Sequence, residues 1–120
     1  MTLSLHDVAV PTFRQILGGL SKVLDKAEAH FAAAGADTSA VMASRLYADM
    51  APFTFQVQQA IGHSAGALAK LRGEDFATPG GLDSFAGQKA ALAQALAYVN
   101  ATTPADLEGA ETRQVVFKFP

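Results

Sequence analysis

The chain has 120 residues, half of them apolar, a formal net charge of −2 and no cysteine. That length suits one domain with a single core, and the lack of cysteine excludes a disulfide scaffold, thiolate-ligated zinc, iron–sulfur clusters and a thiolate nucleophile. Basic and acidic residues are interspersed, which leaves no footprint for nucleic acid, and no stretch approaches the ~20 apolar residues of a membrane span or the layout of a signal peptide.

A cytoplasmic chain with neither nucleic-acid nor membrane partners is therefore expected. Alanine is the commonest residue and nearly matches Val, Ile, Leu and Phe combined, a composition for close-packed helices rather than sheets. Residues 1–120 are read as one all-α domain.

Phe13, Ile16, Leu17, Leu20, Val23, Leu24, Ala27 and Phe31 recur at steps of three and four, the apolar stripe of one helix. Ser4 and Asp7 have capping-box spacing. Pro11 removes an intrahelical bond and disfavours helical geometry at Val10, so the reading is a short N-terminal turn and a main helix from about Pro11 to a stop at Gly35.

Asp37 or Thr38 can cap a second region, in which Leu46, Met50, Phe53, Val57, Ile61, Ala65, Leu68 and Leu71 repeat the pattern. Pro52 breaks it near Ala51, leaving a short helix and then a long one from Phe53 to Arg72, ended by Gly73. The segment 73–82 is punctuated by Gly and Pro and reads as a loop. Asp83 or Ser84 starts a third long helix, which runs to about Thr102 before Pro104. From Arg113 to Pro120 the alternation of Val115, Phe117 and Phe119 with Val116 and Lys118 has strand period. This lone strand needs a partner from another chain or from residues beyond Pro120.

His6 and His30, roughly 36 Å apart on a continuous helix, cannot share a metal and read as surface residues. His63 is the candidate of interest. Asp49, Gln56 and His63 are spaced by sevens, with Gln59 one turn before His63, so they fall on one polar stripe of an otherwise apolar helix. Two readings stand side by side. The residues make hydrogen bonds between packed helices, or His63 helps hold a metal or substrate with ligands from a facing helix. Asp49 and His63, about 21 Å apart along a straight helix, cannot bind one ion, and Gln is a poor partner for imidazole-loving metals. Gly18-Gly19 and Gly62-x-x-x-Gly66 lack the context of a phosphate loop and point to close helix packing. Tyr47 and Phe55 lie off the main stripe and suggest a second interface.

In order and spacing, several segments together resemble a bacterial family of unknown function within the DinB/YfiT-like metalloenzyme superfamily. They are Val10-Pro11-x-Phe13 with Leu17, Leu20, Leu24, Asp25, Lys26 and Ala27; Arg45-Leu46-x-x-Asp49-Met50-x-Pro52; Gln56-Val57-Gln58-x-Ala60-x-x-His63-x-x-Gly66-Ala67; Leu71-x-Gly73; and Ser84-Phe85.

The resemblance implies a DinB-like up-down bundle that forms homodimers, with three long helices here, a short C-terminal β-strand, and a fourth helix lying beyond Pro120. It implies a divalent metal, zinc or nickel, in the complete protein. His63 would be one ligand, with Asp49, Gln56 and Gln59 as substrate-positioning or supporting groups. On that reading the chain as it stands is incomplete and inactive. The alternative is a non-catalytic helical dimerisation or partner-binding module.

Overall fold

A computed structural model describes residues 2–118. Helix α1 spans Leu5–Ala33 without interruption, which corrects the expected late start at Pro11. Three features hold its first turns. The Ser4 and Asp7 capping box is formed in both directions. His6 Nε2 donates to the Thr102 carbonyl at 2.9 Å, and Val10 is buried. These contacts outweigh the one backbone bond that Pro11 removes, and they make His6 half-buried rather than a surface residue.

Asp37 caps α2, Thr38–Met42. The helix stops ten residues before Pro52, much earlier than expected. The segment 43–52 folds as a stapled loop in which Phe53 N–H donates to the Ser44 carbonyl at 2.9 Å and Gln56 Nε2 to the Ala51 carbonyl at 3.2 Å. Its apolar residues therefore do not join the core: Leu46 is 92% and Tyr47 70% exposed.

Helix α3, Phe53–Ile61, continues through a π-helical turn, Gly62–Gly66, into α4, Ala67–Arg72. Gly73 ends this rod with φ 75°, a left-handed cap that glycine adopts without a Cβ penalty. Within the π turn the Ser64 hydroxyl donates to the Ala60 and Ile61 carbonyls at 2.7 and 3.2 Å, satisfying groups that the widened turn leaves short of partners. Helix α5, Phe85–Ala101, starts at the expected Ser84 cap. Two 3₁₀ turns follow, Pro104–Leu107 and Ala110–Thr112.

Val10, Leu17 and Leu24 of α1, seven residues apart, share a core with Val57, Ile61, Ala65 and Leu68 of the α3–α4 rod and with Leu92, Ala95 and Val99 of α5. Helix senses follow from the polar contacts. Lys89 near the start of α5 bridges Glu28 and Asp25 near the end of α1 at 2.7 and 3.3 Å, and Arg14 Nε donates to Asn100 at the far end at 2.6 Å. Helices α1 and α5 are thus antiparallel. Arg72 at the end of α4 reaches Thr102 at the end of α5, so α4 and α5 run the same way. In place of the up-down alternation that the resemblance implies, these three rods run up-down-down. The loop from Gly73 to Ser84 makes this possible by returning along α5, touching Tyr98 with Glu74 and Phe76 and Gln88 with Leu82.

The expected C-terminal strand is not formed: no strand occurs among the described residues, and Phe119 and Pro120 lie outside them. A strand is stable only in a ladder, and no described segment offers one. No helix among the described residues is long and apolar enough to cross a membrane.

Candidate functional site

The polar stripe read from the sequence is dispersed by the fold. Asp49 lies in the 43–52 loop, not on a helix, so it shares no face with His63. Gln56 is exposed and caps the carbonyl of Ala51 within its own segment. Gln59 and His63 do meet. The imidazole Nε2 and Gln59 Oε1 are 3.1 Å apart, the expected i,i+4 approach, and the histidine takes the donor role because a carboxamide oxygen only accepts. The pair makes no bond between helices, and His63 is exposed.

The surroundings of His63 were not legible in its spacing. Its ring stacks on Phe117, centroids 6.2 Å apart and 20° between planes. This contact ties residues 116–118 across the π turn. A cleft of about 200 Å³ lies between His63, Gln59, Thr78 and Phe117. A neighbouring groove of about 420 Å³ runs past Gly62 and Gly66 towards Phe76 and the Lys70–Asp75 ion pair at 2.9 Å.

Close packing at the glycines is also corrected. A Cβ added at Gly18, Gly19 or Gly62 meets nothing within 4 Å, and at Gly66 it reaches only the Ile61 carbonyl of the same rod at 4.0 Å. The described residues leave the space in front of these glycines open.

Among the described residues no group of three His, Cys, Asp or Glu side chains converges to hold a metal. His63 supplies one imidazole, and one of its ring nitrogens is already engaged by Gln59. The residues present do not amount to a zinc or nickel centre, since such sites take three or four protein donors.

A denser polar cluster closes the opposite end of the α4–α5 pair. Arg72 donates to Thr102 Oγ1 at 3.3 Å, lies 3.4 Å from Glu74 and 3.8 Å from Asp106, and covers the Tyr98 ring with its guanidinium carbon 4.9 Å from the centroid. Tyr98 donates to Glu74 at 2.5 Å. Burial, with help from that bond, pushes the phenol up to about 12. Asp106 is held below the usual carboxylate range by the Thr103 backbone N–H and hydroxyl, then by Arg72 and His6. Arg72 is shared between the two carboxylates, and each of these also accepts a hydrogen bond, Glu74 from Tyr98 and Asp106 from Thr103. The arrangement fastens the ends of α1, α4 and α5 rather than offering an open reacting group.

One further surface stands out on α1. Ile16 and Val23, assigned to the core stripe by their spacing, are 58% and 57% exposed, and Val8 is 52% exposed. Leu17 and Leu24, one residue along, take the core positions instead. The stripe in the sequence is wider than the face that three rods can cover.

A family model described as a domain of unknown function, DUF1993, matches residues 5–120. The crystal structure of a DinB family member protein from Shewanella denitrificans at 1.83 Å resolution superposes with a TM-score of 0.84 and 28% sequence identity, over 94% of this chain and 65% of that one. The chain thus spans just under two thirds of that relative's length. No curated protein matches it.

Proposed function

The chain belongs to the DUF1993 family and is DinB-like in fold, and from that premise we propose that it works as a non-catalytic helical module that associates with a second copy of itself. The observation that carries this reading is the row of large apolar side chains on α1, Val8, Ile16 and Val23, left outside the core. Three such residues on one exposed helix flank mark an association surface better than scattered apolar residues do. Ile16→Glu is the direct test. In sedimentation runs from micromolar to millimolar protein, the native chain is expected to pass from monomer to dimer, and the variant to stay monomeric with an unchanged helical spectrum. A native chain that remains monomeric throughout sinks the proposal.

A second reading is favoured by one feature, the solvent-facing His63 on a π turn, a distortion that recurs at functional sites. On this reading His63 is one ligand of a divalent zinc or nickel ion, Gln59 orients its ring, and the other donors come from outside the described residues. Asp49, in the 43–52 loop, and Gln56, bonded to the Ala51 carbonyl, stand apart from that pair and would serve in positioning a substrate. Elemental analysis of purified protein decides it. Near-stoichiometric metal that is lost in His63→Ala supports the reading, and trace metal in the native chain removes it.

A further inference from the structure

The loop of residues 43–52 closes on itself and leaves apolar side chains outside. Besides the bonds of Phe53 to Ser44 and of Gln56 to Ala51, Met50 N–H donates to the Tyr47 carbonyl at 3.0 Å and Arg45 Nη1 to the Met50 carbonyl. Tied in this way, the segment is a fixed rim rather than a slack connection. Between the rim and the start of α3 lies a groove of about 500 Å³, lined by Ser44, Arg45, Leu46, Met50, Phe53 and Gln56. It is larger than either hollow beside His63 and falls within the roughly 300–1,000 Å³ of small-molecule sites.

Three polar side chains interrupt its hydrocarbon walls. The Ser44 hydroxyl is already bonded to the Val41 carbonyl at 2.6 Å, and the Gln56 carboxamide to Ala51. Arg45 differs. No carboxylate lines the groove, and among the described residues Arg45 makes no ion pair. Asp83, which shares a second hollow with it, is also beyond ion-pair distance. The bond to Met50 fixes the guanidinium at the rim and uses one N–H of five, so a planar fork remains for a pair of oxygens.

This charge defines the class of occupant. A guanidinium without a counterion, set against apolar walls, suits an anion with a hydrocarbon tail. One cation does not neutralise a phosphate dianion, and no lysine lines the groove. The start of α3 adds no strong anion seat, because the amides of Phe53, Phe55 and Gln56 already donate to the Ser44 and Pro52 carbonyls. A carboxylate has the single charge and the oxygen pair that one guanidinium matches. We infer that the groove binds a straight-chain monocarboxylate, with Arg45 on the carboxylate and the chain lying along Leu46, Met50 and Phe53. The unbranched thioether of Met50 lets the wall adapt to the tail. The site is separate from His63 and does not depend on self-association.

Octanoate and octanol share a tail and differ in charge, so together they test both halves of the site. In amide ¹H–¹⁵N spectra of the native chain, octanoate should shift residues 45–56 saturably at millimolar concentration or below, and octanol should bind at least tenfold more weakly. Decanoate should bind roughly fourfold more tightly than octanoate, as two more methylenes enter a half-open groove. Arg45→Gln, at an exposed position, should keep the helical spectrum and the octanol affinity but lose the preference for octanoate. Octanol binding as tightly as octanoate overturns the proposal, and so does a preference that survives in Arg45→Gln. Octanoate shifts confined to other residues, or none at all, overturn it as well. Shifts at 45–56 that arise on concentrating the protein without ligand place a second copy in the groove, with the same consequence. Should Arg45→Gln fail to fold, the comparison of octanoate with octanol on the native chain decides alone.

Discussion

Replacing Leu17 by alanine is expected to lower the unfolding free energy by about 2–5 kcal/mol, the range for deleting a fully buried leucine side chain. Leu17 has no exposed surface and lies midway along α1, where the helix faces the α3–α4 rod and α5 together. The loss combines the transfer free energy of the removed methyl groups with the cavity left behind, which backbones packed on both sides can only partly collapse. Against the 5–15 kcal/mol total of an ordinary domain this is a large fraction. The neighbouring Ile16→Ala, at a position 58% exposed, should stay within about 0.5 kcal/mol at concentrations where the chain is monomeric. Urea unfolding of the two variants makes the comparison. Equal losses would mean that the division of the α1 stripe into covered and open faces is wrong.

The second large effect is expected from Gly87→Ala. A glycine in a helix normally gains about 0.5–1 kcal/mol on becoming alanine, because the unfolded chain loses conformational freedom. Gly87 should show the opposite sign. It occupies the first turn of α5, its N–H donates to the Ser84 cap at 3.0 Å, and the loop at Gly81 crosses directly over it. An added Cβ would fall far inside 3.0 Å of the Gly81 carbonyl, a backbone group with no rotamer to yield. Gly81 itself holds φ 79°, so the loop is also in a conformation other residues rarely adopt. Either the loop or the capped turn must move, at a cost of about 1–3 kcal/mol or more, as for other overpacked sites. Gly18→Ala is the control. It has open space and ordinary helical geometry, so it should be neutral or stabilising. Thermal unfolding that gives both variants the same sign would contradict the close approach of the loop.

Local signals were readable in advance because they involve residues within a few positions of one another. Ser4 with Asp7, Asp37 and Ser84 cap helices where their side chains can reach unpaired amides, and Gly73 ends a rod where a left-handed residue is needed. Leu17 and Leu24 belonged to the apolar stripe expected of the first helix, and both lie in the core. The approach of His63 to Gln59 followed from a single helical turn. All-α architecture and the family pattern rest on this same short-range grammar, and the match over residues 5–120 agrees with it.

What needed the folded chain depends on partners distant in sequence. Helix α1 continues through Pro11 because Thr102 holds His6 and the core holds Val10, contacts worth more than one backbone bond. Periodicity marked Ile16 and Val23 as apolar, but a helix face is buried only when another element covers it, and α5 and the α3–α4 rod cover Leu17 and Leu24 instead. Asp49 left the stripe of His63 because the chain from Ala43 to Pro52 satisfies its backbone in a loop rather than a helix. Residues 113–118 have strand composition but no ladder, and Phe117 rests on His63 in place of a neighbouring strand. Propensity and spacing state what a segment can form. Whether it does so, and which of its faces meets solvent, is settled by the surfaces that the rest of the chain brings against it.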